Sequence, residues 1–115
     1  MQYISKADLI TKSELETLSL KMFGGLVKGV VDVEKRLIAI DAEMHVDLEQ
    51  ELLDQGSDQK DLWGINLYPA EAEEAFLEFD SMINIRPSQG NKTRGVEDEM
   101  MRTLIQEIVT ESVQL

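Results

Sequence analysis

The chain has no cysteine, which excludes disulfides, thiolate-bound metals and a cysteine nucleophile together. It has one histidine, His45. A zinc site of the usual kind draws on several Cys or His ligands, so no metal and no cofactor is expected. Proline occurs only at Pro69 and Pro87, and aromatic residues make up just 5% of the chain. The longest apolar run, Leu37–Ile40, is far short of the ~20 residues that span a bilayer. Residues Met1 to Lys6 lack the apolar core and small-residue cleavage site of a secretion signal. A cytoplasmic location without a membrane partner is the expectation.

Positive charge is also scarce. Eleven basic residues stand against 23 acidic ones, for a net charge of −12. The excess is local: between Leu37 and Ile85 there are thirteen carboxylates and only one base, Lys60. The flanks hold ten acids and ten bases, which cancel. Such a field repels phosphate backbones, so general nucleic-acid binding is not expected. It would suit a basic protein partner or a cation, or it is simply a well-solvated acidic surface.

What remains describes one small domain, residues 1–115, with an ordinary 43% of hydrophobic residues. Gln2 to Ile4 reads as a short strand. Thr11 to Glu14 and Ser13 to Glu16 each fit a capping box, and Leu15, Leu18, Met22 and Leu26 follow at helical spacing until Gly24-Gly25. The β-branched runs near 26–34 and 36–42 read as a hairpin. Asp47 is placed as an N-cap with Gln50 at N3, giving a helix near 48–55, with an extended segment as the rival. Leu62 to Tyr68 reads as a strand ended by Pro69. Phe76, Phe79, Met82, Ile83 and Ile85 suggest another strand up to Pro87, bulged near Asp80-Ser81. Residues 88–95 read as a loop, and Glu97-Asp98-Glu99 open a last helix with Met101, Leu104, Ile105, Ile108 and Val109 on one face. The fold class expected is α+β: a small antiparallel or mixed sheet with helices packed mainly on one face. The core expected is Leu18, Met22, Val31, Val33, Ile38, Ile40, Leu52, Trp63, Ile83, Ile85, Leu104 and Ile108.

Three stretches carry candidate chemistry. His45, Asp47 and Glu49 are the weak catalytic candidates: a base titrating near neutrality with two carboxylates to orient it. They would share a face on a strand but not on a helix. Trp63, with Gly64, Asn66 and Tyr68, offers an aromatic surface to a ligand or, equally, a core tryptophan beside a glycine that leaves room for packing. Asn84, Arg86, Gln89, Asn91, Lys92 and Arg94 form a donor-rich stretch with three bases and no acid, the parts of a site for a small anionic ligand. With Ile83 and Ile85 facing the core, Asn84 and Arg86 would face outward. In the structural alternative, Arg86 pairs with Glu78 or Asp80. No P-loop pattern is present.

His45-x-Asp47-x-Glu49, Gly56-Ser57-x-Gln59, Leu62-Trp63-Gly64, Tyr68-Pro69, Ile83-Asn84-Ile85-Arg86-Pro87 and Asn91 together resemble a family of small prokaryotic domains of unknown function. The resemblance runs roughly from Val30 to Val109. It implies a one-domain cytoplasmic protein and brings no activity, cofactor or catalytic residue. Without a complete nucleophile–base or metal constellation, a non-catalytic binding or interaction module is expected. The alternative is a small hydrolase-like enzyme acting on a phosphorylated or nucleotide substrate. It requires His45, Asp47 or Glu49 to converge with Asn84 and Arg86.

Overall fold

A computed structural model describes residues 1–22 and 24–114. Strand β1 (Gln2–Ser5) leads to β2 (Ile10–Thr11) and helix α1 (Lys12–Ser19). Of the two capping registers, Thr11 is realised: its hydroxyl accepts from Glu14 N at 3.1 Å while Glu14 Oε1 accepts from Thr11 N at 3.3 Å. The helix closes at Ser19, before the glycine pair, so Met22 is only half-buried; Gly24 and Gly25 have φ of 88° and 70°, which favours glycine.

The hairpin forms as β3 (Val27–Asp32) and β4 (Leu37–Ile40). Its turn lacks glycine because Asp32 replaces one: Oδ1 accepts from Glu34 N and Lys35 N, both at 3.0 Å, and Arg36 takes a φ of 53°. Asp32 is buried, and its second oxygen accepts from the Ser57 hydroxyl at 2.5 Å. Helix α2 (His45–Asp54) rules out the extended alternative. It begins earlier than expected, with Met44 as N-cap, so Asp47 lies in the first turn instead of capping it.

Strand β5 (Leu62–Leu67) is buried along its whole length and pairs with β3. The expected strand over 76–85 is not there. Glu73–Phe76 forms a one-turn helix, α3, and only Leu77–Glu78, strand β6, pairs with β5. Ser81 then caps a 3-10 turn over Met82–Asn84, and another turn covers Pro87–Gln89. The chain ends in α4 (Glu99–Ser112), capped by Asp98, and β7 (Val113–Gln114), which pairs in parallel with β2.

The sheet is therefore antiparallel, in the order β1-β4-β3-β5-β6, and the fold is α+β. On one face, Leu15, Leu18, Ile105, Ile108 and Val109 from α1 and α4 pack against Ile4, Val27, Val31, Ile38, Ile40, Trp63, Ile65 and Leu67. On the other, Leu48 and Leu52 of α2 cover Val30, Ala39 and Leu62. Val33, Ile83 and Leu104 are only partly buried, and Ile85, expected in the core, is 37% exposed. No helix among the described residues is long and apolar enough to cross a membrane.

Candidate functional site

The edge of β5 explains why a strand was expected where none forms. Asn66 is its last residue toward Asp61 to pair with β6, opposite Glu78. Beyond it, side chains take over from backbone. The Asn84 carboxamide accepts from Gly64 N at 2.8 Å and donates to Gly64 O at 3.0 Å, as a neighbouring peptide group would. Arg86 donates from Nη2 to Leu62 O at 2.5 Å and from Nη1 to Gln59 O, with its guanidinium carbon 4.1 Å from the centre of the Trp63 ring. Burial holds the Arg86 pKa below its usual value, against the opposing pull of the Glu49 charge.

The orientation expected for this segment is thus inverted. Asn84 is 0% and Arg86 7% exposed, while Ile85 turns outward. The satisfaction of buried backbone groups outweighs the burial of one isoleucine. Gly64 makes this possible: a Cβ there would lie 2.5 Å from Ser81 Cβ and 2.6 Å from its hydroxyl. Arg86 pairs with neither Glu78 nor Asp80; it is Arg94 that meets Asp80, at 2.6 Å.

The buried donors of the basic loop are used internally as well. Asn91 is buried and donates to the carbonyls of Asn84, Thr93 and Gly95 at 2.7, 3.1 and 2.8 Å. The backbone amides of Lys92 and Thr93 donate to Glu97, so the anion in this loop is the protein's own carboxylate. Gln89 is exposed, with a 3.5 Å contact to the Lys60 carbonyl.

His45 and Glu49 share a face of α2 one turn apart, and Asp47 is exposed to solvent away from them. Glu49 is buried, and its Oε2 lacks a hydrogen-bond partner. His45 lines an open cleft of about 340 Å³ between α2, the start of β3 and residues 78–83, together with Lys28, Asn66, Tyr68, Glu78 and Asp80. Its Nε2 lies 2.8 Å from Ile65 O, which accepts only, so the neutral ring carries its proton on Nε2. Burial lowers the His45 pKa and Lys28 adds to this, while Ile65 O, Asn66 and Asp80 oppose it. Glu78 Oε1 accepts from Asn66 Nδ2 at 2.8 Å and from the Tyr68 hydroxyl at 2.9 Å. Burial, then that bond, raises the Tyr68 pKa. Asn66 Oδ1 is buried without a partner.

Tyr68 was part of the Trp63 candidate stretch, whereas Glu78 was expected only as a structural partner for Arg86. The sequence does place Asn66 and Tyr68 at i and i+2 on one strand, the spacing of a shared face. A cleft of about 480 Å³ between residues 71–77 and α4 is lined by Phe76, Leu77, Val109 and Val113 together with Lys12, Glu71, Glu73 and Glu74, and one of about 550 Å³ lies beside Lys21, Lys28 and Glu43; among the described residues, neither is lined by one with a buried unpartnered polar atom. Among the described residues, no group of three or more His, Asp or Glu side chains is placed to hold a metal ion.

These features define a small α+β fold with a polar cleft beside a sheet edge that side chains have sealed. The chain belongs to the family described as Protein of unknown function (DUF5674), whose sequence model matches residues 4–112. No curated protein and no solved structure matches it.

Proposed function

We propose that this chain is a non-catalytic binding module of the cytoplasm, and that the cleft around His45, Asn66, Tyr68 and Glu78 is where it binds. One observation carries this reading: the cleft has a floor residue, Asn66, that is 6% exposed yet keeps an unpartnered polar atom. A buried acceptor left open costs free energy, and a ligand or water that fills it recovers that cost.

Catalysis is disfavoured by what the neighbours do. The hydrolase alternative needs Asn84 and Arg86 to hold a phosphate, and both are committed to backbone groups. The hydroxyls nearest the cleft serve other ends: Ser81 accepts from Ile83 N, and Tyr68 donates to Glu78.

The test is an amide-shift screen of the full chain with fragments from distinct classes: amines, carboxylates, phosphates and neutral amides. Saturable shifts clustering at His45, Asn66, Tyr68 and Glu78 support the reading. Shifts confined to residues 84–94, or none at millimolar fragment, overturn it.

A further inference from the structure

The cleft's polar groups divide sharply into those already used and those still open. Asn66 and Tyr68 have their side-chain donors engaged, and Lys28 and Arg94 each commit one. Asn66 Nδ2 is on Glu78 and on Asp80 O, the Tyr68 hydroxyl is on Glu78, Lys28 Nζ is on Glu43 O at 2.8 Å, and Arg94 Nε is on Asp80. Three acceptors have no partner among the described residues. Asn66 Oδ1 is one. His45 Nδ1 is another, because the bond to Ile65 O takes the ring's proton to Nε2. The third is Glu78 Oε2, since both bonds to that carboxylate fall on Oε1.

We infer that the cleft receives an alkylammonium group, the side chain of a lysine presented by a partner polypeptide. The inference rests on reading the cleft as a binding site. An ammonium brings three N–H donors and no acceptor, the complement of what is open here. At these three atoms an anion would meet acceptors only. The surroundings agree. Most of the cleft's lining residues lie in the stretch from Leu37 to Ile85, which carries the chain's whole charge excess and so favours a cation, although Lys28 and Arg94 on the wall come from outside it. Met44, Val46 and Met82 line the same cleft and are exposed, an apolar rim suited to the four-carbon stem of a lysine and to adaptable contact. Lys28 is the one unpaired like charge on the wall, and the Arg94–Asp80 pair is neutral as a unit.

The experiment uses n-butylammonium, with n-butanol and n-butyrate as neutral and anionic counterparts of the same length, at equal ionic strength, followed by amide shifts. Butylammonium alone is expected to give saturable shifts at His45, Asn66, Tyr68 and Glu78. Glu78→Gln should weaken it about tenfold, the share of one charge-assisted hydrogen bond. Lys28→Gln should tighten it, a gain that damage to the fold does not produce. A blocked peptide with a central lysine between apolar residues should bind tighter than butylammonium through the rim, and Met82→Ala should erase part of that advantage. A free diamine binding as tightly as the peptide overturns the polypeptide source. Butanol or butyrate saturating the cleft as well as the amine overturns the cation and leaves the binding reading standing. Magnesium or calcium shifting the cleft beyond the effect of sodium overturns the ammonium in favour of a metal ion. No cleft shift with any probe overturns both readings.

Discussion

Replacing Asn84 by alanine tests whether a side chain truly stands in for an edge strand. The carboxamide makes three hydrogen bonds: one from Gly64 N at 2.8 Å, one to Gly64 O at 3.0 Å and one to Arg94 O at 2.9 Å. Both Gly64 groups are buried, and truncation leaves each without a partner. A buried backbone group left open costs about 1–3 kcal/mol, so the Gly64 pair together accounts for roughly 2–6 kcal/mol. The Arg94 carbonyl still accepts from Ser81 N at 2.9 Å, so the loss of its second bond adds little. For a domain whose total stability is of order 5–15 kcal/mol, that loss is severe. Urea denaturation followed by Trp63 fluorescence measures it, with the slope unchanged and the midpoint moved. Ile85→Ser is the control. The more apolar residue is the exposed one, and its loss is expected to cost within about 0.5–1 kcal/mol. Asn84→Ala costing no more than Ile85→Ser would refute the account, because it would mean that Gly64 is satisfied by something else.

Gly64→Ala should destabilise by about 1–3 kcal/mol, because the new Cβ would fall 2.5 Å from Ser81 Cβ; a midpoint shared with wild type would show that the 81–84 turn can give way. Glu49 and Arg86 are both buried, and Arg86 feels the Glu49 charge, so Glu49→Gln and Arg86→Met should couple by at least about 1 kcal/mol in a double-mutant cycle; additivity within about 0.5 kcal/mol would sever the link. His45 binds its proton less readily folded than unfolded, so the stability it contributes is complete above its ordinary pKa of about 6.5 and declines as pH falls from there toward the lowered folded value. His45→Gln should remove that part of the slope in urea midpoints between about pH 7 and 5, and an unchanged slope counts against it.

The periodic parts of the chain were legible. The capping box at Thr11, the β-branched hairpin and the amphipathic last helix each satisfy a local rule, and tertiary packing agrees with it. The segment from Phe76 to Arg86 was not legible, for a physical reason. Its apolar residues alternate as a strand's do, and the alternation implies that Ile83 and Ile85 point inward. That inference assumes that backbone pairs with backbone. Here Asn84 and Arg86 pair with backbone through their side chains, so the polar residues go in and the isoleucines follow whatever direction is left. The parallel pairing of Ile10 with Val113 spans nearly the whole chain, and two-residue strands leave no periodicity to read.

The same exchange accounts for the candidate site. Ser57 bonds to Asp32, Gly64 admits Ser81, Asn84 and Arg86 seal the β5 edge, and Asn91 knits the loop through three carbonyls. Residues that look like ligand binders when read singly are thereby consumed by the chain itself. Each carries strong donors, and a small domain with irregular connections has many carbonyls for those donors to satisfy. A binding surface is then found by subtraction, where polar atoms remain open after the internal bonds are made. At the His45 cleft the open atoms the proposal uses are acceptors, on Asn66, His45 and Glu78, while Trp63 Nε1 and Arg86 Nε are buried donors left open elsewhere. The basic loop reads as an anion site in the sequence, yet it holds the carboxylate of Glu97. The open acceptors at Asn66, His45 and Glu78 lie in the acidic stretch, and the proposal of an ammonium ligand rests on them.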